Sequence, residues 1–307
     1  MSALKHAMTD YLDLRHSLGH ALSDVGRLLP SFVSYLDERG LGVVTVHAAV
    51  EWAQMGNGTS GVPRRMTAAR GFARYLAGID ENTEVPPLGL TPNRRRWRQP
   101  FIYTPNDIQT LMSRAHTSIA SPLRAATYET LIGLLASTGM RVGEAIKLDR
   151  SDLDWERAVL LIRESKFGKS RLVPVHPNVL QALTEYAEVR NELQPLPKEP
   201  SFFTSLTRNR LCYAVVSETF RRLVDEVGVG ADAPSPPRLH DLRHTFAVQT
   251  LLDWYRSDVD VQAKMPSLST YLGHREPAST YWYLSADPEL LALAAGRQHQ
   301  TWSAERS

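Results

Sequence analysis

The chain has 307 residues, of which 43% are hydrophobic and 22% charged, with a formal net charge of +2 and a single cysteine. That length holds two medium domains, each able to bury a core; no apolar run approaches a membrane span, and the N-terminus lacks an apolar secretion core. Cys212 cannot form an internal disulfide, so a reducing cytoplasm is expected, and so small a charge leaves any case for nucleic-acid binding to its distribution.

From Tyr11 to Leu36 apolar residues recur at helical spacing (Leu18, Leu22, Val25, Leu29, Phe32, Leu36), which predicts one or two amphipathic helices. Thr45 is placed to cap a helix through Trp52. Pro63 suits the first turn of another reaching Leu76, with Met66, Ala69, Phe72, Ala73 and Leu76 on its apolar side. Its remaining face carries Arg64, Arg65, Arg70 and Arg74 within eleven residues free of acids. A solvated helix face and a phosphate-contacting one both fit that pattern. Residues 1–85 read as a small helical domain. Periodicity stops after Asp80, and the proline-rich run over 86–103, with Arg94, Arg95, Arg96 and Arg98 around Trp97, reads as a linker.

A second domain is expected over 104–307. Thr104 caps, Pro105 takes the first helical position and Asp107 complements the helix dipole. Helices are predicted at 105–115, 124–137 and 141–148, then strands at 158–163 and 171–175 joined by a turn at Phe167–Gly168. Further helices follow at 178–190, 211–227, 240–256, 267–273 and 285–296. The fold class is therefore mainly α with a small antiparallel β-sheet, in two domains.

The sequence has no Gly-rich nucleotide loop, no GxSxG and no close cysteine pair. His240 and His244 are four apart, but no HExxH glutamate accompanies them and Arg243 sets a permanent positive charge beside any cation. No metal site and no cofactor are expected. An arginine next to histidine suits an anion, because the guanidinium fork matches two phosphate oxygens and keeps its proton. Arg141 follows Thr138-Gly139-Met140 at a helix start, where the dipole also favours an anion. Lys166 lies at the hairpin tip, His274 follows Tyr271-Leu272-Gly273, and Tyr283 comes nine residues later. Each alone has an ordinary structural explanation: a salt bridge, a solvated turn, a cap, a core ring.

Together and in order they resemble the tyrosine recombinase (phage-integrase and Xer-like) family. The residues that carry the resemblance are Ser137-Thr138-Gly139-Met140-Arg141-Val142-Gly143-Glu144-Ala145, the hairpin Ser165-Lys166-Phe167-Gly168-Lys169-Ser170-Arg171-Leu172-Val173-Pro174, Leu239-His240-Asp241-Leu242-Arg243-His244-Thr245-Phe246-Ala247, and Tyr271-Leu272-Gly273-His274 through Thr280-Tyr281-Trp282-Tyr283. The match spans about residues 104 to 297. Residues 1–85 are similar to the family's helical core-binding (SAM-like) domain in size, composition and place alone.

The resemblance implies DNA strand cleavage and rejoining through a 3′-phosphotyrosyl intermediate, without metal or ATP. It makes Tyr283 the nucleophile rather than Tyr281, with Arg141, Arg243 and His274 around the phosphate. Lys166, rather than Lys169, becomes the general acid, His240 the proton acceptor or a phosphate ligand, and Glu144 a support for Arg141. Arg171 and His244 read as structural. Implied partners are double-stranded DNA and further copies of the chain, as a tetramer on two sites with exchange of the C-terminal helix. Work on the nucleoid and a mobile-element origin are expected. A type IB topoisomerase-like activity and a non-catalytic DNA-binding protein of the same fold remain as alternatives.

Overall fold

The structure is a computed structural model that describes residues 2–20, 22–55, 61–90, 99–163, 170–196, 198–257, 259–274, 276, 278–285 and 289–296. Two compact units divide the chain, 1–97 and 98–307.

In the first unit, α1 (Ala3–Ser17) starts where the Ser2 hydroxyl accepts from the Lys5 N–H, and α2 (Ser23–Glu38) follows. The Tyr11–Leu36 periodicity is thus two helices. They part near Gly19 and Leu22, both at positive φ, and Leu18 stands 64% exposed instead of on the apolar stripe. The Thr45 hydroxyl accepts from the Ala48 N–H to start α3 (Val46–Gln54), and Pro63 lies in the first turn of α4 (Val62–Leu76). Leu29, Phe32 and Leu36 of α2, Trp52 of α3, and Met66 and Phe72 of α4 form the core. Residues 80–87 are strapped to this unit. The Glu84 N–H donates to the Val44 carbonyl, and Arg70 donates from Nε to the Pro86 carbonyl at 2.7 Å and from Nη2 to that of Pro87 at 2.9 Å.

In the second unit Phe101–Tyr103 precede the first helix. Tyr103 is buried, its N–H donating to the Thr245 hydroxyl and its own hydroxyl to the Arg238 carbonyl. In α5 (Pro105–Ser118) Thr104 and Asp107 form a reciprocal capping box. The central helix is α6 (Pro122–Thr138), packed by α5, α8 and α10 and so apolar on most of its surface. After α7 (Val142–Lys147) come β1 (Leu153–Asp154), β2 (Val159–Ile162) and β3 (Arg171–Pro174), an antiparallel sheet ordered β1-β2-β3 with Leu160 opposite Val173. The two-residue β1 is too short to show a period of two and was not among the predicted strands.

The remaining elements are α8 (Pro177–Leu193), α9 (Tyr213–Val227), α10 (Leu239–Arg256), α11 (Val261–Leu272) and α12 (Ala278–Tyr281), then a 3₁₀ turn at Trp282–Ser285 and helical residues 289–296. α11 starts six residues before its predicted start. Asp260 caps it by accepting from the Ala263 N–H, and Pro266 sits inside the helix at the cost of one backbone bond. A second apolar cluster joins Ala247, Val248 and Leu251 of α10, Met265 and Leu268 of α11, Tyr283 and Leu290. Among the described residues no helix is long and apolar enough to cross a membrane.

Candidate active site

The site is built on two helix ends. α6 stops at Gly139, whose φ of +60° suits glycine, and a side chain there would meet the Phe246 ring at 2.4 Å. The turn makes Arg141 the residue that enters α7. One turn on, Glu144 reaches back: its carboxylate accepts from the Arg141 backbone N–H at 2.9 Å and from Arg141 Nη1 at 2.8 Å. The same carboxylate takes a bidentate pair from Arg171, Nη1 at 3.0 Å and Nη2 at 2.8 Å. Burial pushes the Glu144 carboxyl up, but hydrogen bonds from Arg171 and Arg141 together with their charges outweigh it and hold it at about 2.

The second end is that of α11. Gly273, at φ +68°, closes the helix, and His274 follows with its N–H on the Ser269 carbonyl. Arg243, on α10 and almost wholly buried, donates from Nη1 to the Gly139 carbonyl at 2.8 Å and from Nη2 to that of Leu272 at 2.6 Å, which joins the two ends. Arg141 Nη2 donates to the Gly273 carbonyl at 3.0 Å.

Aromatic rings surround Tyr283, which is 2% exposed. His274 lies nearly parallel to its ring at a centroid distance of 6.0 Å, His244 is tilted at 5.5 Å, and Trp282 stands edge-on at 5.4 Å. His240 packs edge-on against His244 at 4.9 Å. Burial raises the Tyr283 pKa, while the charge and hydrogen bonding of Arg243 and the charge of Arg141 oppose the rise. The phenol is thus enclosed yet held in the field of both guanidinium groups. Burial and the surrounding cations lower the imidazoles, His274 to about 4 and His244 to about 3. Desolvation and then the Arg243 charge also lower His240, a residue that stays exposed to solvent. His274 and His244 are therefore neutral at pH 7. His274 Nδ1 pairs with the Thr280 hydroxyl at 2.7 Å, and His244 Nδ1 is buried without a hydrogen-bond partner among the described residues.

The structure therefore brings Arg141, Glu144, His240, Arg243, His274 and Tyr283 together, and leaves Tyr281 47% exposed beside them. Lys166 and the hairpin tip lie outside the described residues, as do Arg94, Arg95 and Arg96. In the first unit the four arginines of α4 divide. Arg64 and Arg74 are exposed, Arg65 donates to the Ala53 carbonyl at 2.9 Å, and Arg70 holds Pro86 and Pro87.

Three residues of the site were missed as such by sequence reasoning: Arg171, His244 and Thr280. Arg171 gave a signal in its period of two with Val173, which turns both side chains to one face of β3; His244 and Thr280 stand within the motifs, but their spacing does not point to the Tyr283 and His274 rings they meet.

Residues 102–289 match the model of the phage integrase family. The chain belongs to that family. A putative integrase/recombinase, y4rB of Sinorhizobium fredii, is 39% identical over 98% of this chain and 99% of its own length. Tyrosine recombinase XerC of Actinobacillus pleuropneumoniae is 26% identical over 94% of this chain and 91% of its own. Among solved structures, the integrase of transposon Tn1549 bound to transposon right-end DNA shares the fold with a TM-score of 0.65 at 17% identity, covering 96% of this chain and 98% of that one. In this phage integrase family member the mainly helical architecture and its three-stranded antiparallel sheet agree with the fold read from the sequence.

Proposed function

We propose that this phage integrase family member is a site-specific DNA recombinase in which Tyr283 is the nucleophile, with a role in moving or resolving a mobile DNA element. The observation that carries the reading is the enclosure of the Tyr283 phenol by His244 and His274 within the field of Arg243 and Arg141. The phenolic oxygen attacks the scissile phosphorus. A P–O bond to tyrosine forms and the bond to the 5′ oxygen breaks, leaving a 3′-phosphotyrosyl ester and a 5′-hydroxyl. His240, whose pKa is lowered by desolvation and the Arg243 charge, takes the phenolic proton, and the Lys166 ammonium supplies one to the departing alkoxide. Attack by a partner strand's 5′-hydroxyl reverses the step and joins the strands.

Negative charge grows on the equatorial oxygens during transfer, and fixed donors that need no reorganisation stabilise it. Arg141, whose side chain keeps 28% exposure, is the arm open to a phosphate; Arg243 contributes its charge from behind the tyrosine. His274 is a further donor. Because one phosphate ester is exchanged for another, the reaction runs without ATP, and the guanidinium groups take the part a metal ion plays elsewhere. Arg64 and Arg74 on α4, together with Arg94, Arg95 and Arg96, are assigned to the DNA backbone. Arg65 and Arg70, committed to carbonyls, hold the first unit together.

Strand exchange between two sites requires two protomers on each, hence a tetramer acting on the nucleoid in the cytoplasm. The segment after Tyr283 buries Leu290 in its own unit. A neighbouring copy offers an identical cluster, so the helix can change owners without any new surface. The test is to incubate the protein with nicked duplexes cut from the DNA flanking its own gene and look for an adduct that survives denaturation. Wild type and Tyr281→Phe form it and Tyr283→Phe does not; an adduct in Tyr283→Phe would move the nucleophile elsewhere.

A further inference from the structure

Three arginines meet one helix end. The carbonyls at the C-terminus of a helix have no partner within it, and at the end of α11 three consecutive ones are taken by one guanidinium each. Arg171 Nε donates to the Tyr271 carbonyl at 2.8 Å, Arg243 Nη2 to Leu272 at 2.6 Å, and Arg141 Nη2 to Gly273 at 3.0 Å. Arg141 and Arg243 have a part in the reaction proposed above. Arg171 has none so far.

We propose that Arg171 is a positioning residue that fixes the Arg141 guanidinium through Glu144; this rests on the assignment of Arg141 to the scissile phosphate. The side chain of Arg171 is 11% exposed, and each of its three nitrogens already donates: two to the Glu144 carboxylate and one to the Tyr271 carbonyl. Three of its five N–H groups are spent within the protein, and at 11% exposure the side chain is largely turned from solvent, so it is poorly placed to lead toward a phosphate. Glu144 Oε1 is shared, accepting from Arg171 Nη1 and from Arg141 Nη1, so the carboxylate is a rigid spacer between a buried arginine and a more open one. Without Arg171 the Glu144 carboxylate would be free to rotate toward Arg141 and draw its guanidinium off the phosphate.

The packing agrees. A side chain added at Gly273 would meet Arg171 Nη1 at 2.9 Å and Arg141 Nη1 at 3.5 Å, so the glycine leaves the space in which both guanidinium groups lie. Arg171 also opens β3, directly after the hairpin that carries Lys166. It could therefore act on the general acid instead, and the leaving group of the substrate separates the two routes.

The experiment measures single-turnover cleavage of a nicked duplex that wild type cleaves, by wild type, Arg171→Gln and Arg171→Lys. At saturating DNA, Arg171→Gln is expected to be slower by about a hundredfold, the scale of an ångström's misplacement of a reacting group. The DNA concentration for half-maximal cleavage stays within about threefold of wild type, since Arg171 touches no DNA. Arg171→Lys recovers about tenfold of the loss, because an ammonium keeps the ion pair but lacks the planar fork that serves Glu144 and Tyr271 together.

With a 5′-bridging phosphorothiolate substrate the leaving thiolate needs no proton, and the deficit of Arg171→Gln is expected to persist. A deficit that disappears on that substrate would place Arg171 behind Lys166 and overturn the proposal, as would wild-type rates in both variants. Should Arg171→Gln fail to fold, Arg171→Lys carries the same test: slower cleavage at unchanged half-saturation and on either leaving group supports it, and a wild-type rate refutes it. If wild type itself forms no adduct on any such duplex, it is the recombinase reading that fails.

Discussion

Replacing Glu144 by glutamine removes the carboxylate that Arg141 and Arg171 share, and its effect on stability can be worked from the structure. A carboxyl brought from 4.5 to about 2 in the folded state adds about 3 kcal/mol at neutral pH, at roughly 1.4 kcal/mol per pH unit. That figure agrees with the roughly 3–5 kcal/mol lost when one partner of a buried ion pair is deleted. Glutamine also turns an amide N–H toward Arg141 and Arg171, which are donors only. For a unit of this size each kcal/mol moves Tm by about 2–4 °C, so calorimetry at pH 7 should show a fall of about 6–12 °C.

The pH dependence follows from the direction of the shift. Because the folded pKa lies below the unfolded one, the Glu144 contribution is complete above about pH 5 and is lost as the pH falls through 4.5 toward 2. The gap between wild type and Glu144→Gln should therefore narrow on acidification. A gap that is constant from pH 7 to pH 3.5, or a fall in Tm below about 2 °C at pH 7, would show that the shared carboxylate does not hold this site.

Burial holds the His244 imidazole at about 3, so the folded state favours its neutral form, and the stability this leaves intact above about pH 6.5 is lost as the pH drops below it. Urea titrations should find wild type losing about 1 kcal/mol relative to His244→Phe between pH 7 and pH 5.5, from one site titrating; parallel curves would exclude it. Gly273→Ala places a methyl 2.9 Å from Arg171 Nη1 at a φ of +68°, and should lower stability by about 1–3 kcal/mol while slowing cleavage. On α4, Arg64→Ala combined with Arg74→Ala should make the slope of log affinity against log salt shallower by about 2 on duplex DNA. Arg70→Ala should instead lower the Tm of the first unit and leave that slope unchanged.

The grouping of Arg141, Glu144, His240, Arg243, His274 and Tyr283 could be read ahead of the fold because these residues fall in short, ordered motifs, and the Thr104-Pro105 start of α5 because its signal is local. What was hidden depends on packing across the chain. Arg171 meets Glu144 and Tyr271, 27 and 100 positions away, and no periodicity encodes such a meeting. His244 reads as the next turn of an amphipathic helix until Tyr283 is folded against it. Pro266 concealed half of α11 because proline ordinarily marks a boundary, and here Asp260 caps the helix upstream of it. The arginines of α4 were equivalent in sequence; only the folded unit shows Arg65 and Arg70 spent on carbonyls and Arg64 and Arg74 facing solvent.

The most direct test digests the wild-type protein–DNA adduct with nuclease and protease and locates the remaining nucleotide by tandem mass spectrometry. A phosphodiester-linked mass is expected on Tyr283 alone. The same mass on Tyr281, Tyr271 or a serine would contradict it.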